Sequence, residues 1–154
     1  MSLTPAPGRD GMARWLVRGL ARHFALHDMA AIPEVSLPNG RRADLVLLSR
    51  RGEVHIVEIK SSVEDFRTDS KWRDYLPFCE QFFFATHPDV PLEIFPDDVG
   101  LILADGFGAE IIRASPQLPL AAGTRKALTI RLARLAATRL AGLADPEGRY
   151  PEMS

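Results

Sequence analysis

A short strand with two opposite charges on one otherwise apolar face constrains this chain more than any other feature. The run Val54-His55-Ile56-Val57-Glu58-Ile59-Lys60 has strand character, and successive strand side chains face opposite sides of a sheet. One side then carries Val54, Ile56, Glu58 and Lys60, and the other His55, Val57 and Ile59. Burying an unpaired ion costs several kcal/mol, roughly, for each group. Glu58 and Lys60 are therefore expected to have a partner, a metal or a catalytic task. Asp44, fourteen positions before Glu58, falls in the preceding apolar run.

That run and its neighbours predict a three-stranded antiparallel meander: about Ile32 to Leu37, Ala43 to Leu48 and Glu53 to Lys60. Pro38-Asn39-Gly40 and Ser49-Arg50-Arg51-Gly52 supply the turns, because Asn and Gly tolerate positive φ. A helix precedes the meander over Met12 to Leu26, with Trp15, Leu16, Leu20 and Phe24 on its apolar stripe. Arg14, Arg18 and Arg22 recur every four residues on another face, where solvation is the default. Ser62 with Asp65 three positions on predicts a helix start, with helical character through Asp69 to Leu76 until Pro77. Phe82-Phe83-Phe84-Ala85 reads as a buried strand. Gly100 to Ala104 and Ala109 to Arg113 form a hairpin about Asp105-Gly106-Phe107-Gly108, and Gly123 to Leu143 is a long closing helix. In that helix Leu128, Leu132, Leu135 and Leu140 mark the side that packs. This order describes an α/β sandwich, a mixed central sheet flanked by helices, with the Glu-x-Lys strand near the centre.

A length of 154 residues with 46% apolar content suits one domain, expected over residues 1–144, with a flexible polar tail over 145–154. No apolar run approaches the roughly 20 residues that span a bilayer, and Met1-Ser2-Leu3-Thr4-Pro5 lacks a signal-peptide pattern. Cys79 is the sole cysteine, which excludes an internal disulfide and a thiolate zinc site and fits a reducing cytoplasm. The four histidines, His23, His27, His55 and His87, show no metal-ligand spacing, and no G-x-x-x-x-G-K-[ST] loop is present. A net charge of −1 provides no overall pull toward DNA. Charge is nonetheless segregated: Asp89 to Glu110 is acidic, and Thr124 to Leu143 is basic through Arg125, Lys126, Arg131, Arg134 and Arg139.

An Asp on one strand beside a Glu-x-Lys on the next fits phosphodiester hydrolysis assisted by a divalent ion. Mg²⁺ (or Mn²⁺) takes hard oxygen donors, keeps several waters, and needs only a few protein ligands. Asp44 and Glu58 are the candidate ligands, with the carbonyl of Ile59 as a third and Glu34 as an extra carboxylate. Lys60 is placed to orient or deprotonate water and to counter developing charge. The bland alternative is a surface Glu58–Lys60 pair worth at most about 1 kcal/mol. Arg41, Arg42, Arg50 and Arg51, in the two turns, are candidates for phosphate contact, as is Lys71. Trp72 and Tyr75 are read as core before base stacking, and Asp65 and Asp69 as helix-terminal residues before ligands. The basic closing helix leaves DNA contact, a partner surface and solvation open.

These spacings resemble the PD-(D/E)xK nuclease superfamily. Arg42-Ala43-Asp44, Glu58-Ile59-Lys60-Ser61-Ser62, Asp65-Phe66, Asp69-Ser70-Lys71-Trp72, Asp74-Tyr75 and Cys79 ahead of Phe83-Phe84-Ala85 resemble its bacterial branch of MmcB-like DNA repair proteins. The resemblance runs from the first helix through the Asp105-Gly106 hairpin. It implies a restriction-endonuclease-like sandwich, DNA as partner and a role in DNA repair, with Asp44, Glu58 and Lys60 as the catalytic set. Ala43 stands where the superfamily pattern has proline. Two functions are expected: a Mg²⁺-dependent deoxyribonuclease, or a DNA-binding or protein-binding module that does not cut. A homodimer or a repair-protein partner fits either.

Overall fold

The structure is a computed structural model that describes residues 6–152; the expectation about the opening residues 1–5 lies outside that range. Helix α1 (Arg9–Leu26) is followed by β1 (Met29–Ser36), β2 (Arg42–Ser49), β3 (Val54–Ile59) and the short helix α2 (Val63–Thr68). A 3-10 segment, Trp72–Phe78, leads into β4 (Gln81–Thr86). The chain continues through a 3-10 turn, Leu92–Ile94, then β5 (Gly100–Ala104), β6 (Ala109–Arg113) and α3 (Ala122–Ala144). The six strands lie side by side in chain order. β1 to β3 form the antiparallel meander, β3, β4 and β5 run parallel, and β6 returns antiparallel. Gly40 and Gly52 take φ of 83° and 84° in the meander's two turns, the left-handed region that the turn residues predicted.

Each sheet face buries its own layer. On one, Met12, Leu16, Leu20 and Phe24 of α1 pack on Leu45, Leu47, Val57 and Phe83. On the other, Val54, Ile56, Phe82 and Phe84 meet Trp72, Tyr75, Cys79 and the α3 residues Leu128, Leu132 and Leu135. Trp72 stacks on Phe82 with ring centroids 5.6 Å apart, so the aromatic pair of the 3-10 segment belongs to the core. Burial pushes the Cys79 thiol up to about 12. Helices on both faces of a mixed sheet form the restriction-endonuclease-like sandwich, and β3 lies inside it with all six residues buried.

Two local expectations need correction. The helical character expected through Asp69 to Leu76 is interrupted over 69–71 and resumes as a 3-10 helix, Trp72–Phe78, with Pro77 inside it. Proline removes an N–H and crowds the carbonyl four residues back, which disfavours the α-helical bond pattern. Leu140 does not pack: it is 67% exposed, because the buried side of α3 ends at Leu135. Beyond that point Arg139 makes the contact, donating from its guanidinium to the carbonyls of Pro33 and Glu34 on β1. Arg131 likewise donates to Ser36 O at 3.1 Å. Arg125 pairs with the buried Glu80, whose Oε2 accepts the Val54 N–H at 3.0 Å where β3 begins. These three cations of the basic helix tie it to the domain.

Candidate active site

The β2–β3 ladder runs from Leu48↔Val54 to Leu45↔Val57, and the same register brings Asp44 opposite Glu58. There the backbone pairing gives way to side chains. The Asp44 N–H donates to Glu58 Oε1 at 2.9 Å, and the Ile59 N–H donates to Asp44 Oδ2 at 2.8 Å. Each carboxylate thus closes on the opposite strand's backbone. Glu58 is buried and Asp44 half-buried. Burial, then the charge of Asp44, pushes Glu58 well above the usual carboxylate range. Burial also raises Asp44, opposed by the Ile59 hydrogen bond and the Lys60 charge. Two acids forced together in a poorly solvated place cannot both ionise cheaply.

Lys60 is buried as well, and its Nζ lies 2.8 Å from Asp69 Oδ2. The surface Glu58–Lys60 pair is therefore not what forms. Asp69 is a helix-terminal residue, the C-cap of α2, and its Oδ1 also accepts the Lys71 N–H at 2.9 Å. Partial burial pushes Asp69 up, but the hydrogen bonds from Lys60 and Lys71 hold it below its ordinary value. The helix that returns Asp69 to Lys60 is capped as expected, Ser62 Oγ accepting the Asp65 N–H at 3.0 Å. Thr86 Oγ1 donates to Lys60 O at 2.7 Å and the Lys60 N–H donates to Ala85 O at 2.9 Å, fixing this end of β3 to β4. Tyr75 Oη donates to Arg42 O at 2.9 Å. Burial first, then the nearby charges of Glu58, Asp44 and Asp69, raises that hydroxyl further.

Glu34 reaches the same place by an unusual route. Its φ is 51°, and the β1–β2 register passes from Pro33↔Leu45 to Val35↔Ala43 without pairing it. Non-glycine residues in this left-handed region are uncommon and cost roughly 1–3 kcal/mol. The Arg139 bonds to Pro33 and Glu34 secure the kink. Glu34, Asp44 and Ile59 then line one cleft of about 510 Å³ with Pro33 and with Ala13, Arg14 and Val17 of α1.

The candidate phosphate contacts divide. Arg41 pairs with Asp74 at 3.1 Å, and Arg42 Nη2 lies 3.9 Å from Glu34 Oε1, both at the site end of β2. Lys71 is exposed beside Asp69. Arg50 and Arg51 belong to the opposite end: Arg50 lies six residue steps along the strand from Asp44, about 20 Å, and pairs with Asp28 at 3.1 Å. Sequence proximity to the Glu-x-Lys strand hid this, since a hairpin turn lies at the far end from residues near the strand's other terminus. Asp69 as the partner of Lys60, and Arg14 in the cleft, were not singled out from sequence. The signal for Arg14 was its place on the side of α1 next to the apolar stripe.

Two adjacent carboxylates with their cation drawn off to Asp69 are hard oxygen donors suited to a divalent ion that keeps most of its waters. Among the described residues no three His, Cys, Asp or Glu side chains converge as a metal-holding group. Ile59, next to Asp44 in the cleft, and water would have to complete the coordination.

Comparison with known proteins places these residues in context. The model of the family described as DNA repair protein MmcB-like matches residues 5–147. Among solved structures, the chain is similar to the SPO1766 protein of unknown function from Silicibacter pomeroyi. The two are 38% identical with a TM-score of 0.87, and 97% of each chain is covered. No curated protein matches the chain. Among the described residues no helix is long and apolar enough to cross a membrane.

Proposed function

Since the chain belongs to the MmcB-like family of the PD-(D/E)xK fold, we propose that it is a Mg²⁺- or Mn²⁺-dependent deoxyribonuclease acting in DNA repair. The observation that carries this reading is the Asp44–Glu58 pair, which forms no ion pair of its own among the described residues because Lys60 is engaged by Asp69. Asp44 and Glu58 would hold the ion, with Ile59 O and Glu34 as further donors. A bound divalent ion supplies charge neutralisation on the phosphate and a more acidic water. Asp69 keeps the Lys60 ammonium in one place on the same face as Glu58, where it counters negative charge building on the phosphate. Arg41, Arg42 and Lys71, at this end of the sheet, are the phosphate contacts this reading retains. A reducing, cytoplasmic setting suits the single buried thiol of Cys79.

One observation favours a second reading, a DNA-binding module that does not cut. Asp44 and Glu58 already satisfy backbone N–H groups of the opposite strand, so they have a purpose in the fold without any metal. Incubation of single-stranded, duplex, flapped and branched DNAs with Mg²⁺ or Mn²⁺, using wild type, Asp44→Ala and Lys60→Ala, separates the two. Cleavage lost in both variants establishes the nuclease. Binding without cleavage by the wild type supports the module, and neither binding nor cleavage removes both readings.

A further inference from the structure

The Asp44 cleft contains a cation that none of the described residues engages. Arg14 lines it opposite Glu34, Asp44 and Ile59, yet makes no hydrogen bond or ion pair among the described residues. Nearby arginines are committed: Arg41 to Asp74, Arg139 to Pro33, Glu34 and Glu152, and Arg18 to Gly106 O at 2.9 Å. On the other side of the acid pair Lys60 is bonded to Asp69, and Tyr75 is buried. The cleft between α1 and β1 is thus an open side of Asp44, bordered by acids and one unpaired guanidinium. A guanidinium is a planar fork of donors suited to two oxygens of a phosphate.

We propose that Arg14 grips a phosphodiester of the DNA backbone at the acid pair, and that the strand enters through the α1–β1 cleft. This rests on the DNA reading above and adds to it the side of approach and a residue that touches substrate. Arg14 takes non-bridging oxygens while Ala13 and Val17 leave room for the sugar edge. Arg50, paired with Asp28 at the far end of β2, lies away from the strand.

The test measures DNA affinity in EDTA over a range of salt for wild type, Arg14→Ala, Arg14→Lys and Arg50→Ala, with thermal melts to verify folding. Loss of one phosphate contact lowers the slope of log affinity against log salt by about 0.7 for single strands or 0.9 for duplex. The expected result is that change in Arg14→Ala, with affinity down about tenfold, partial recovery in Arg14→Lys and no change in Arg50→Ala. A folded Arg14→Ala with wild-type affinity and slope overturns the proposal, and leaves the nuclease reading intact if the wild type still cuts. An Arg14-dependent slope in a protein that never cuts removes the nuclease and keeps the DNA entry side. Absence of DNA binding by the wild type overturns both.

Discussion

The two ends of β3 hold buried acids in opposite electrostatic conditions. At the start, Glu80 accepts the Val54 N–H and the Arg125 guanidinium, so its charge is answered on the spot. At the end, Glu58 and Asp44 face one another, and the closest cation has gone to Asp69. A fold that can neutralise one acid completely has left the other pair short of positive charge. The first arrangement is complete within the protein; the second is suited to an added cation.

The strongest way to break this comparison is to remove the answered charge. Arg125→Met strands the Glu80 carboxylate in the core and is expected to cost about 3 kcal/mol, read as a lower urea midpoint with an unchanged m-value. At the other end the same measurement should respond to metal instead. Mg²⁺ at about one hundred times its dissociation constant adds roughly 2.7 kcal/mol to the wild type and nothing to Asp44→Ala. An equal gain in both proteins would mean that the ion binds elsewhere.

Glu58→Gln should stabilise the metal-free protein, by about 1–3 kcal/mol, because the amide still accepts from Asp44 N–H and can donate to the Asp44 carboxylate. The pH dependence has a defined sign. A carboxyl whose folded value is raised contributes stability that is complete below its unfolded value and is lost as pH rises through the folded one. Metal-free wild type should therefore weaken as pH climbs above 4.5, the ordinary glutamate value, and Glu58→Gln should flatten that slope in urea titrations at successive pH values. Mg²⁺ should reverse it, since its ligands must be deprotonated. The smallest effect is expected of Arg50→Ala, an exposed pair with Asp28. A change below about 0.5 kcal/mol with unaltered cleavage would agree with its place at the far end of β2, whereas lost cleavage would contradict it.

Local rules made much of this architecture readable. Asn39-Gly40 and Gly52 specified the meander's turns, the alternation through Val54 to Lys60 assigned each side chain its face, and Ser62 marked the start of α2. The missing parts depend on long-range closure. That Asp69 would return to Lys60 follows from the length and direction of α2, and that Arg14 would border Asp44 follows from α1 lying across the strand ends. Neither relation has a periodicity. Trp72 and Tyr75, by contrast, read as core in the sequence, and both are buried against Phe82. The basic residues of α3 looked like a surface until Arg125, Arg131 and Arg139 were seen reaching inward.

Arg139 also imposes an order in time. It follows Glu34, whose carbonyl it holds, by 105 residues. At a synthesis rate of about 5–20 residues per second, the kink emerges roughly 5–20 seconds before the side chain that secures it. A nascent chain therefore possesses both strands of the acid pair while one wall of its cleft is still unclamped, and only translation through the last helix completes that wall. A message cut short before codon 139 would encode the acids without their finished enclosure.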